Sequence, residues 1–182
     1  AIAELVSERL APDGYLVCLN PTLHSELVTT ALGTQRIVAA LATNNAEQLS
    51  PGRILQRSTG SLFVGEVAST EITGRVEALA AALPFGQPTD NIRGYLWSFA
   101  AEQAVFLAGS TSGLSPAATL EALDWRPLMR ALAREVLEQC PTRAEAFDYF
   151  NPLDLDATLS RMRDSPRTIE PGAAFILGGL DG

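Results

Sequence analysis

Apolar residues recur along this chain in two rhythms, and the change from one to the other marks how it is organised. Ile2, Leu5, Val6 and Leu10 fall at helical spacing, which predicts an amphipathic helix closed by the Ala-Pro-Asp-Gly turn at 11–14. Tyr15 to Leu19 is a short unbroken apolar run, as suits a strand buried on both faces of a parallel sheet. A second helix is expected from about Leu23 to Leu32, opened by Pro21 or Thr22 and stopped at Gly33. Arg36 to Ala42 reads as another buried strand. Strand, short polar loop, helix, strand is the grammar of a doubly wound α/β sheet.

Asn44 to Gly52 is expected to be a polar loop, and Arg53–Gln56 with Ser61–Val67 a hairpin across a Ser-Thr-Gly turn. Ser69-Thr70-Glu71 is a cap for a helix carrying Ile72, Val76, Leu79, Ala80 and Leu83. Pro84 to Pro88 is a connector that can form a last edge strand. The longest apolar helical pattern then runs from Asn91 to Gly113. Ile92, Leu96, Phe99, Phe106 and Leu107 share one face, and Trp97, Ala101, Ala104 and Ala108 another. A helix apolar over most of its circumference belongs between two layers. Gln103 falls in the apolar face one turn after Phe99, where an amide is expected to be buried and bonded to backbone.

Beyond it a short helix is expected from Ser115-Pro116 to Leu123, and a better one from Arg126 to Gln139, carrying Leu128, Met129, Leu132, Val136 and Leu137. Leu155, Leu159 and Met162 allow a further turn or two, and the glycine-rich end from Ile169 reads as a frayed tail or an interrupted segment. The expected class is α/β: the second half of a Rossmann-like doubly wound sheet over residues 1–90, followed by an all-helical domain over 91–182 with its linker helix at 91–112.

Composition narrows the chemistry. The chain has 182 residues, 47% of them apolar, enough to bury a core for one domain or two small ones. No apolar run reaches a membrane span, and with no basic, apolar leader and two cysteines, Cys18 and Cys140, without metal-ligand spacing, a cytoplasmic location is expected. A net charge of −8 without a basic stripe argues against nucleic acid as a partner. All 13 basic residues are arginine, which excludes lysine-borne Schiff-base, general-acid or P-loop chemistry within this sequence. His24 is the only histidine, so neither a His-rich metal site nor a Ser-His-Asp set is on offer. Asp148, Asp154 and Asp156 lack the glycine and closing glutamate of an EF-hand and read as solvated loop residues; no metal is expected.

Ligands of open α/β sheets bind at the carboxyl ends of strands. Asn20 occupies such a position, before a helix N-terminus that favours anions, although an ordinary turn asparagine fits the same place. Thr43, Asn44, Asn45 and Ala46 form a second such loop. Nothing matches the Gly-x-Gly-x-x-Gly turn of a dinucleotide site. Either this sheet holds no dinucleotide, or the strand that would do so is expected upstream of Ala1.

The run Asn91-Ile-Arg-Gly-Tyr-Leu-Trp97, then Trp125-Arg-Pro-Leu-Met-Arg-Ala-Leu-Ala-Arg-Glu-Val136, then Glu145-Ala-Phe-Asp-Tyr-Phe-Asn-Pro152, resembles the ketopantoate reductase (2-dehydropantoate 2-reductase) family. The earlier strand ending in Asn20, the loop with Pro51-Gly52 and the stretch ending in Val64-Gly65-Glu66 are similar as well. The resemblance covers Ala1 to Pro152. It implies an NADPH-dependent reduction of a 2-keto acid to a 2-hydroxy acid, as in pantothenate biosynthesis. It also implies a 6-phosphogluconate dehydrogenase-like helical domain, through which a homodimer could form.

The resemblance further implies a proton-donating lysine two positions after the linker Trp, which lands on Phe99, and a substrate-contacting polar residue at Gln103. Asn20 corresponds to the strand-end asparagine near cofactor and substrate, with Pro21 in place of the usual following glycine. Ala46 falls where the loop passes NADP, and Arg167-Thr-Ile-Glu170 faintly matches a segment reaching the cofactor. A phenyl ring cannot donate a proton, and the glycine fingerprint and the last helices of the family are missing. Two expectations follow: an oxidoreductase, part of a longer chain, with altered acid catalysis; or a non-catalytic binding or assembly module that keeps the fold.

Overall fold

The computed structural model describes residues 2–20, 30, 32–44, 46–56, 59–110, 113, 118, 121–147, 151, 154 and 156–158. The chain divides into two compact units, Ala1–Leu96 and Trp97–Gly182.

The first unit is mixed α/β. Helix α1 (Ile2–Arg9) leads through the Ala11–Gly14 turn into β1 (Leu16–Leu19), and β2 (Ile37–Ala42) is entered through a 3-10 turn at Thr34–Arg36; the helix expected at 23–32 lies mostly outside the described residues. Then come β3 (Ala46–Ser50), β4 (Arg53–Gln56), β5 (Leu62–Glu66), α2 (Gly74–Ala82) and β6 (Gly86–Pro88). The main sheet has the order β1-β2-β5-β6. β1 and β2 are parallel, as are β5 and β6, but β2 and β5 pair antiparallel, with Ala40 opposite Val64. The connection between β2 and β5 explains the reversal. It carries the β3–β4 hairpin and, among the described residues, no crossover helix, so the chain returns alongside the strand it has just left.

That hairpin departs from expectation. Ala46–Ser50 is a strand, not a polar loop, and it pairs antiparallel with Arg53–Gln56 in a sheet of its own. The turn is Pro51-Gly52, with Gly52 at φ 77°, a left-handed position that glycine fills without strain. β5 joins the main sheet instead of pairing with β4. β1 also differs: Val17 and Leu19 are exposed, Leu19 by 62%. In the described sheet β1 is an edge with β2 as its only neighbour, so its apolar sequence is covered on fewer sides than that of a central strand.

β2 is that central strand, buried from Ile37 to Leu41. Val38 and Ala40 pack with Val64, Val76 and Ala80, flanked by Tyr15, Leu62, Leu79 and Leu83; α2 thereby seats on one face of the sheet. Burying a valine such as Val76 contributes about 2 kcal/mol relative to leaving it in water. The cap of α2 is Thr73, whose Oγ1 accepts from the Val76 N–H at 3.4 Å, and not the Ser69–Glu71 segment.

Helix α3 (Ile92–Ser110) is capped by Asn91. The Asn91 side chain accepts from the Gly94 N–H at 3.1 Å and its carbonyl from the Tyr95 N–H at 3.3 Å. The first turn presses on β5 so closely that a Cβ on Gly65 would lie 2.7 Å from Ile92 Cβ. In the second unit a 3-10 turn at Leu123–Trp125 opens α4 (Arg126–Glu138). Met129 and Ala133 of α4, Ala101 and Val105 of α3, Phe147 and Thr158 are all buried there. No strand occurs among the described residues of this unit. His24, Asn45, Asp148, the Arg167–Glu170 segment and the tail from Ile169 lie outside the described residues.

Candidate functional site

The carboxyl ends of β1 and β2 meet the amino ends of β5 and β6, and a polar rim is built there. Asn20 extends the ladder, its N–H bonded to the Ala40 carbonyl at 2.7 Å, and then turns into the left-handed region at φ 45°. Asparagine tolerates that conformation better than other side chains with a Cβ. Its Oδ1 accepts from the Ala42 N–H at 2.8 Å, so the amide ties the end of β1 to the end of β2. One residue on, Thr43 clasps Ser61: its Oγ1 accepts from the Ser61 N–H at 2.9 Å and donates to the Ser61 carbonyl at 3.2 Å. Gln87 Nε2 donates to Ser61 Oγ at 3.0 Å, which adds β6 to the rim. Gly60 is required by contact, since a Cβ there would stand 2.4 Å from the Asn44 nitrogen. Ala46, half-buried, opens β3 three residues beyond Thr43.

At the opposite end of the sheet lies a charged buckle. Glu66 is buried at the end of β5. Its carboxylate accepts from Arg75 Nε at 2.8 Å and Nη2 at 2.5 Å, and from Thr73 Oγ1 at 2.5 Å. Arg75 also donates to the Gln35 carbonyl at 2.8 Å and stands 5.3 Å from the centre of the Tyr15 ring. The Arg75 hydrogen bonds hold the Glu66 carboxyl below the usual range; burial works against them and the Thr73 hydroxyl adds to them. Burial pushes the Cys18 thiol up, away from the thiolate form that nucleophilic attack needs.

On α3 the helical phase differs from that expected. The buried stripe starts at Ile92, as expected, and then runs through Gly94, Ser98, Ala101, Glu102 and Val105. Gly94, Ser98 and Ala101 let the helix approach its neighbours closely, and Phe99, Phe106 and Leu107 lie further out. Gln103 is exposed, not buried in an apolar face, and Phe99 is half-buried. Leu107 is 50% exposed. Ser98 is wholly buried and its Oγ has no hydrogen-bond partner among the described residues.

Asn20 and Ala46 thus belong to the first unit, while Phe99 and Gln103 follow one another by a turn of α3 in the second. Sequence reasoning passed over Ser61, Gln87 and Ser98, because lone serines and glutamines carry no spacing signal. Asp154 and Asp156 are exposed, as expected, but they are not idle. Asp154 Oδ1 accepts from the Ala157 N–H at 2.9 Å, and Asp156 is held by Arg126 and, at 3.0 Å, by Arg130. Among the described residues no cluster of three metal-ligating side chains occurs, and no helix is long and apolar enough to cross a membrane.

No family model matches the sequence, and no curated protein sequence matches it. Solved structures do match in shape. The 2-dehydropantoate 2-reductase of Geobacter metallireducens GS-15 superposes with a TM-score of 0.74 at 20% identity, over 97% of this chain and 60% of its own. The enzyme of that name from Methylococcus capsulatus gives 0.73 at 19% identity, over 96% and 60%. A D-mandelate dehydrogenase in complex with NADH gives 0.70 at 14% identity, over 98% and 66%. The chain therefore has the fold of the 2-dehydropantoate 2-reductase, or ketopantoate reductase, structures and spans about 60% of their length.

Proposed function

We propose that this chain is the substrate-side part of an oxidoreductase that interconverts a 2-keto acid and a 2-hydroxy acid. Residues 1–90 would be part of a Rossmann-like domain and 91–182 a helical domain able to support a homodimer, in a cytoplasmic protein. The observation that carries the reading is the exposed amide of Gln103 one turn beyond Phe99, on a fold shared with reductases of 2-keto acids. Gln103 would bond the substrate, and Asn20 and Ala46 would lie toward a nicotinamide cofactor. The cofactor is proposed to be NADP; one neighbour in the same fold is described with NADH.

The residues present do not fit the pyrophosphate of such a cofactor. β1 ends in Asn20-Pro21, and a proline has no N–H to offer a phosphate. No Gly-x-Gly-x-x-Gly turn occurs anywhere in the 182 residues. What this chain contributes is the orientation of the keto acid, and Phe99 supplies neither proton nor positive charge to it. Loss of a general acid costs about 10²- to 10⁴-fold in rate.

The test is to titrate the protein with a panel of 2-keto and 2-hydroxy acids, following tryptophan fluorescence, and to measure oxidation of NADPH and NADH with the same panel. Binding of at least one acid, with weakening in Gln103→Ala, supports the reading. Absence of both binding and turnover across the panel rejects it.

Phe99 also favours a second reading, a non-catalytic binding or assembly module that keeps the fold. Phe99→Lys separates the two. Reductase activity that appears or rises strongly in the variant marks a site whose chemistry has been lost, whereas wild-type turnover equal to that of the variant rejects the module.

A further inference from the structure

We draw no further inference here: the strongest candidate, the apolar surface of the β3–β4 hairpin, where Leu49, Ile54 and Leu55 are exposed on two strands that among the described residues pair only with each other, carries nothing because nothing in the structure shows what covers it.

Discussion

Glu66 and Arg75 form a two-point ion pair in which one carboxylate receives the Nε and Nη2 of one guanidinium, at 2.8 and 2.5 Å. The pair joins the end of β5 to the first turn of α2. Through the Gln35 carbonyl it also reaches the turn that enters β2. Arg36 works alongside, donating to the Gly14 and Ala11 carbonyls at 3.1 and 2.5 Å, so two arginines fasten the lower loops of the sheet.

This pair makes stability depend on pH in a stated direction. The folded-state pKa of Glu66 is depressed, whereas an unfolded glutamate titrates near about 4.3. The contribution is therefore complete above the unfolded value and is lost as pH falls through the folded one. Urea unfolding of wild type and Glu66→Gln between pH 7 and pH 3 checks it. The variant is expected to be less stable at pH 7 by about 2 kcal/mol, the worth of hydrogen bonds to a charged group, and the difference is expected to shrink toward pH 3.

Asn20 combines a left-handed backbone with a side-chain bond to Ala42, and two substitutions separate these. Asn20→Gly keeps the backbone conformation and loses the bond, at an expected cost of about 1 kcal/mol or less at this exposed position. Asn20→Ala loses the bond and adds the left-handed penalty, about 1 kcal/mol more. Equal costs for the two would show that the backbone conformation is not strained.

Phe85 is a bulky, exposed residue at φ 59°, a conformation that costs it about 1 kcal/mol or more. Its place follows from Gly86, where a Cβ would lie 2.1 Å from the Ala80 carbonyl oxygen. Phe85→Gly is expected to raise the melting temperature. Gly86→Ala is expected to lower it sharply, because the obstructing atom is backbone and cannot rotate away.

Ser98 presents a buried hydroxyl with no partner among the described residues. Leaving such a group unpaired costs about 1–3 kcal/mol, and alanine is the better helix former. Ser98→Ala is therefore expected to stabilise the protein by about 1 kcal/mol in chemical unfolding. A loss of stability would instead show that the hydroxyl is engaged.

The succession of elements was legible where pattern and local chemistry agree: the runs at Tyr15–Leu19 and Arg36–Ala42 became strands, and Arg126–Gln139 a helix. Three features were not legible. The antiparallel entry of β5 depends on the absence of a crossover helix, which a polar, glycine-containing stretch at 44–60 does not reveal. β3 went unread because Ala-Glu-Gln-Leu-Ser is poor in β-branched residues; pairing across Pro51-Gly52 overrides that weak propensity. Beyond its first turn the phase of α3 does not follow apolar size: Ser98, Ala101 and Val105 lie deepest, and Phe99 and Leu107 are more accessible. Among the proposed site residues, Asn20 stands at a strand end as read, and Gln103 points to solvent against the reading as a buried amide.

The placement of β2 has a dynamic consequence. Flanked on both edges and buried from Ile37 to Leu41, its amides can exchange with deuterium only when the sheet itself opens, so they should report the global opening free energy of the first unit. The β3–β4 hairpin, two strands alone with Ile54 75% exposed, should exchange by local fraying long before.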